Sequence, residues 1–235
     1  MKSDGTGSDA NGHDATGPHV VPHPSQVTDV LLIRHGQTDW NLEGRMQGHE
    51  AIELNDVGRE QVRATAEALK HLTPKVIVTS PILRAVQSAE IVGAALGYPA
   101  EAILLEPGFA EFDMGEWVGS TFMELWEQKV IQNYWHNPTD TVFPGGESMP
   151  AIQRRAVAAL NAVVAEHGGG TIVVLTHGGI VRLLLLAAME LPRSHYFRIG
   201  ASNASVARLQ LSPGRPAKVH NINYTPGLPR LPWRE

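Results

Sequence analysis

Four short runs of continuous Val, Ile and Leu, at residues 30–33, 76–78, 103–105 and 172–175, alternate with longer stretches whose apolar residues recur at helical spacing. Runs without polar alternation suit strands buried on both faces, the condition of a parallel sheet covered by helices. The helices between them have readable ends. Asn55 can cap a helix whose apolar positions Val62, Ala66 and Leu69 continue toward Pro74, and Ser80 with Pro81 starts a second that stops near Gly97. Ser120 opens a third, carrying Met123, Trp126, Val130 and Tyr134 up to Pro138, and a fourth runs from about Pro150 to His167 and halts at three glycines. This order predicts an α/β layered fold. Residues 206–211 alternate, and are expected to pair as an antiparallel edge.

The 235 residues, 43% hydrophobic, suffice for one large core with tails. Residues 1–27 are almost without apolar side chains before Val20 and are read as a flexible tail, with His13, His19 and His23 as solvated residues rather than a metal tract. Residues 28–211 form the expected catalytic domain. Residues 212–235, punctuated by Pro213, Pro216, Pro226, Pro229 and Pro232, are expected to wrap the surface irregularly. The absence of cysteine excludes thiolate nucleophiles, Cys-based zinc sites and redox motifs. A net charge of −5 argues against a general nucleic-acid surface or an anionic membrane as partner, while allowing a local basic pocket. The most apolar stretch, 171–189, is broken by His177, Gly178, Gly179 and Arg182, so it is not read as a membrane span. No secretory leader shows in residues 1–26, and a cytoplasmic location is expected.

Ligands of open α/β sheets bind beyond the carboxyl ends of the strands, so the residues that follow each run are the ones to inspect. The first run leads into Arg34 and His35, the second into Thr79, Ser80 and Arg84, the third into Glu111 and Asp113, and the fourth into Thr176 and His177. Guanidinium forks match the oxygens of a phosphoryl group, and helix N-termini add N–H groups. A neutral imidazole can attack phosphorus, a second can donate to its oxygens, and a carboxylic acid can protonate the departing alkoxide. The surrounding positive charge disfavours imidazolium and helps keep the attacking ring neutral. Neither a metal nor another cofactor is called for. Taken singly, each residue has an ordinary reading: Arg84 as a surface ion-pair partner, His177 as a buried polar residue at a strand end, and Glu111 with Asp113 and Glu116 as acidic rivals. Their joint placement on one rim carries the functional reading.

The stretch Arg34-His35-Gly36-Gln37-Thr38-Asp39-Trp40-Asn41, continuing to Gly44-Arg45-Met46-Gln47-Gly48, resembles the opening signature of the histidine phosphatase superfamily, the phosphoglycerate-mutase-like enzymes. Further matches are Ser80-Pro81 with Arg84, Glu111 through Gly115-Glu116-Trp117 and Gly119, Pro144-Gly145-Gly146-Glu147-Ser148, and Thr176-His177-Gly178-Gly179. The resemblance implies a three-layer α/β/α sandwich around a mixed, mainly parallel sheet. It also implies His35 as phosphorylated nucleophile, Glu111 as proton donor, and Arg34, Arg84, His177, Asn41 and Gln47 as phosphate contacts. Asn41 has a second reading as a turn residue bonding its own backbone, and Glu147 with Ser148 as a helix start. Ala51-Ile52-Glu53-Leu54 departs from the aspartate and proline of many relatives, which bears on loop shape.

Residues 106–147, the expected cover of the site, hold eight acids, a single base, Lys129, and eight aromatics: Phe109, Phe112, Trp117, Phe122, Trp126, Tyr134, Trp135 and Phe143. A mutase handling a bisphosphate needs cations for the second anionic group, and this segment lacks them. The expected function is therefore a metal-independent phosphomonoester hydrolase acting on a small phosphorylated metabolite through a phosphohistidine. The alternatives are a bisphosphoglycerate-dependent phosphoglycerate mutase and an inactive module that binds a phosphorylated ligand.

Overall fold

The computed structural model describes residues 24–227. The tail reading for 1–23 and the last prolines, Pro229 and Pro232, lie outside them. Six strands form one sheet: β1 (Thr28–Arg34), β2 (Val76–Thr79), β3 (Leu104–Leu105), β4 (Thr171–Thr176), β5 (Val206–Ser212) and β6 (Arg215–Tyr224). Their order is β3-β2-β4-β1-β5-β6, with the β3–β2, β2–β4 and β4–β1 pairs parallel and the β1–β5 and β5–β6 pairs antiparallel. Seven helices accompany them: α1 (Asp39–Leu42), α2 (Asp56–Leu69), α3 (Leu83–Ala95), α4 (Phe122–Glu127), α5 (Gln132–His136), α6 (Met149–His167) and α7 (Gly178–Ala188).

Alternate residues of the central strands feed two cores. Val30, Leu32, Val76, Val78, Ile172 and Val174 face α6 and α7, while Leu31, Ile33, Ile77, Val173 and Leu175 face α2 and α3. That double covering is what the unbroken apolar runs required, and it makes the three-layer α/β/α sandwich with a mixed, mainly parallel sheet. Every residue of α7 except Arg182 is buried. The stretch 171–189 is thus a central strand followed by a helix packed within the protein, and among the described residues no helix is long and apolar enough to cross a membrane.

Asn55 caps α2 through the Gly58 N–H, and Ser148 caps α6 through Ala151. Four expectations need correction. Helix α3 starts at Leu83, not at Pro81, because Ile82 is extended (ψ 133°) and stands as the N-cap. The third helix is two short ones, interrupted where Lys129 adopts a φ of 61°. The run at 103–105 yields only a two-residue, exposed edge strand. At the other end, β5 is not the edge: the segment expected to be irregular supplies β6, which pairs with β5 after a turn at Pro213 and Gly214. Pro216 is tolerated there because β6 is an edge strand, where a missing N–H need not break the ladder.

Candidate active site

The carboxyl ends of β2, β4 and β1 lie side by side, with Arg34 in register with Thr176, and Thr79 with Leu175. Just beyond them a cleft of about 370 Å³ is lined by Arg34, His35, Asn41, Gln47, Arg84 and Glu111, and by Gly178 and Gly179 at the start of α7. His177 stands immediately behind, its ring centroid 5.2 Å from that of His35. The seven side chains named from the sequence therefore converge at one point.

His35 is anchored through its backbone, donating to Thr176 (2.9 Å) and accepting from Ala204 (3.0 Å). Its Nδ1 lies 2.7 Å from the Gly36 carbonyl, which can only accept, so the ring proton belongs on Nδ1. Nε2 is left as a lone pair, and the Arg84 Nε–H points at it from 3.2 Å. Burial, followed by the charges of Arg84 and Arg34, holds the imidazole well below its ordinary pKa. Arg84 is buried and fixed by the carbonyls of Gly48 (2.8 Å) and Glu50 (3.0 Å). Arg34 donates Nη1 to the Ala201 carbonyl (2.7 Å), while its buried Nε has no protein partner among the described residues. Burial pushes both guanidiniums down to about 10, so each stays charged at neutral pH.

Ser80 was not among the residues singled out for chemistry, and it sets the second histidine. Its Oγ accepts the Ile82 N–H (3.2 Å) and lies 2.7 Å from His177 Nε2. The hydroxyl proton has no other acceptor among the hydrogen bonds of the described residues, so we assign it to Nε2, which puts the imidazole proton on Nδ1. That Nδ1 is buried and unpartnered among the described residues, a donor held ready for an anion's oxygen. His177 is also the N-cap of α7 and makes no capping bond, so the first-turn N–H groups add to the same field.

Asn41 makes a local turn bond and also lines the cleft. Its Oδ1 accepts from the Thr38 backbone N–H (3.1 Å) and from Asn203 Nδ2 (3.0 Å), which turns its amide donors toward the cleft. Gln47 is oriented alike: Oε1 accepts from Thr38 Oγ1 (3.0 Å). Among the acids only Glu111 lines the cleft; Asp113 Oδ1 accepts the Gly115 N–H within its own turn, and Glu116 is exposed. The Glu111 carboxylate rests against α7 so closely that a Cβ on Gly179 would sit 2.6 Å from Oε1.

Beyond the phosphate-sized floor the walls are aromatic. Phe122, Tyr134 and Trp135 come from the cover, and Tyr196 and Phe197 from a 3-10 turn at Arg193–Arg198. Phe109, Phe112, Trp117 and Phe143 are core residues, and Trp126 stacks on Phe122 behind the wall. The count of a single base held for the cover, but the cleft draws cations from elsewhere. Arg182 reaches it from α7, its Nε on the Ile199 carbonyl (2.8 Å) and its guanidinium 5.3 Å from the Tyr196 ring centre. Arg45 lies at the mouth, paired with Glu43. A charge three residues past the two glycines of a helix start was the available signal for Arg182, hidden by an otherwise apolar run.

Residues 30–224 match the model of the histidine phosphatase superfamily, branch 1. The chain is 34% identical over 160 residues to phosphoglycerate mutase-like protein 4 of Arabidopsis thaliana, covering 66% of this chain and 69% of the relative. It is 32% identical to the metal-independent phosphoserine phosphatase of the same plant, over 69% of each chain. Among solved structures, a mycobacterial glucosyl-3-phosphoglycerate phosphatase in complex with VO3 superposes with a TM-score of 0.75 at 27% identity, over 83% of this chain and 98% of that one.

Proposed function

The chain belongs to the histidine phosphatase superfamily and is a phosphatase; from that premise we propose that it hydrolyses small phosphorylated metabolites through a phosphohistidine on His35, without a metal. The observation that carries this reading is the unprotonated Nε2 of His35, facing a cleft between two charged guanidiniums. In the first step the Nε2 lone pair forms the N–P bond as the P–O ester bond breaks. The electron pair of that bond goes to the leaving oxygen, which takes the proton of Glu111. In the second step the Glu111 carboxylate accepts a proton from water as the water oxygen attacks phosphorus. The N–P electron pair returns to Nε2, and the acid is restored. Arg34, Arg84, His177 and the α7 N-terminus hold the three peripheral oxygens throughout, with Asn41 and Gln47 as further donors.

The charge of the cleft supports a leaving group that is itself anionic. Arg34, Arg84 and Arg182 carry three positive charges, and with Glu111 protonated a phosphomonoester dianion takes up two. Arg182 makes one hydrogen bond, to a carbonyl, among the described residues. A carboxylate on the leaving group would complete the balance, and glucosyl-3-phosphoglycerate, in the name of one structural relative, is such a compound. The test compares 3-phosphoglycerate with glycerol 3-phosphate, which differ at that carboxylate. Release of inorganic phosphate from both is expected, with kcat/KM at least about tenfold higher for the acid and the preference lost in Arg182→Leu. Conversion to 2-phosphoglycerate in the presence of bisphosphate primer, without release, would instead identify a mutase.

A further inference from the structure

The Pro-Gly-Gly-Glu-Ser stretch at 144–148 contributes nothing to the phosphate floor, yet it stands directly behind the acid. Arg155, on the second turn of α6, uses all five of its N–H donors there. Nε and Nη2 grip the two carboxylate oxygens of Glu147, each at 2.8 Å. Nη1 reaches the carbonyls of Gly108 (2.9 Å) and Ala110 (2.7 Å), and Nη2 also reaches that of Glu111 (2.8 Å). Glu147 closes the other side: Oε2 accepts the Asp113 N–H (3.1 Å), and its own N–H donates to the Asp113 carbonyl (3.0 Å). The backbone of Glu111 is thereby bracketed on both sides. In front, its carboxylate abuts Gly179 and accepts the Phe112 N–H (3.1 Å).

We propose that Arg155 and Glu147 act as positioning residues for proton transfer, forming a clamp that fixes where the Glu111 carboxyl meets the leaving oxygen. The inference rests on the reading of Glu111 as the acid. A planar fork suits the task because its donors are pre-set in direction, and a lysine would supply the charge without the geometry. Burial opposes ionisation of Glu147, but the Arg155 fork and the Asp113 N–H outweigh it and hold the carboxyl below its usual range, so the pair stays charged at working pH. A carboxyl displaced by about 1 Å loses on the order of 10²-fold in rate.

A bracing role alone would lower activity toward every substrate, whereas a misplaced acid harms only those esters whose leaving oxygen needs a proton. The experiment measures kcat/KM, which reports steps up to formation of the phosphoenzyme, for glycerol 3-phosphate and for 4-nitrophenyl phosphate, whose anion leaves unaided. Arg155→Gln and Glu147→Gln are each expected to lose about 10²-fold on the alkyl ester and to stay within about threefold on the aryl ester. Glu111→Gln must show the same contrast. If it does not, the assignment of the acid fails and the clamp with it. If Glu111→Gln shows the contrast while the clamp variants lose both activities equally, or lose neither, the positioning role is overturned. Should Arg155→Gln not fold, Glu147→Gln carries the same test with its shape preserved.

Discussion

At the scale of single residues, the site is a matter of which atom carries a proton. Two imidazoles 5.2 Å apart are set in complementary ways, one by a carbonyl and one by a hydroxyl. His35 is left with a lone pair, and His177 with a donor. Replacing Ser80 with Ala removes the group that orients His177 and frees the other tautomer. We expect kcat to fall about tenfold, the value of one hydrogen bond to a group acting on charge, in a folded protein destabilised by about 1–3 kcal/mol because the buried Ile82 N–H loses its acceptor. Steady-state kinetics on the purified variant measure this, and an unchanged kcat would show that the hydroxyl does not set the ring. Ser80 was legible in the sequence as a helix start and as a residue of the rim, but not as the partner of His177, since its nearest signal, Pro81, argues for capping. The histidine that claims it lies 97 residues away.

At the scale of elements, what was legible followed from local rules, and what was not depended on partners distant in sequence. Asn55 and Ser148 cap their helices because an N-cap side chain satisfies a donor within its own turn. The central strands were legible because burial on both faces demands unbroken apolar runs. Strand β6 was not, because an edge strand with largely exposed side chains has neither the run nor the apolar alternation, and its one proline, Pro216, argues against pairing. It nonetheless supports the site: Asn223 accepts the Ser202 N–H (2.6 Å). That loop also carries Ala201, which holds Arg34, and Asn203, which bridges to Asn41. The catalytic signature itself was legible because strand ends gather on one rim. The cations of the cleft were only half legible, since Arg182 sits inside an apolar helix.

At the scale of the whole molecule, the site is a concentration of charge that folding must accommodate. Burial, and then the charge of Arg84, holds both His35 and His177 well below the ordinary imidazole pKa. Unfolded, each takes up a proton near pH ~6.5; folded, neither does. Stability is thus intact above that value and lost as pH falls below it, at up to about 3 kcal/mol per pH unit for the pair. Urea unfolding is expected to show a lower midpoint at about pH 5.5 than at about pH 7.5, with the difference reduced in His177→Gln. A midpoint that stays level would mean that the rings are protonated in the native state. In the proposed function the cleft that causes this cost is also where the chemistry takes place, since the cations that discourage imidazolium would receive the phosphoryl oxygens.

The central claim is that His35 itself receives the phosphoryl group. The most direct measurement mixes the enzyme with a radiolabelled phosphomonoester, quenches it in alkali within a turnover, and maps the label by peptide mass spectrometry. The account predicts a phosphoryl group on His35 that survives alkali, is released by acid, and is absent from His35→Ala. Label on a serine, stable to acid, or full activity in His35→Ala would contradict it.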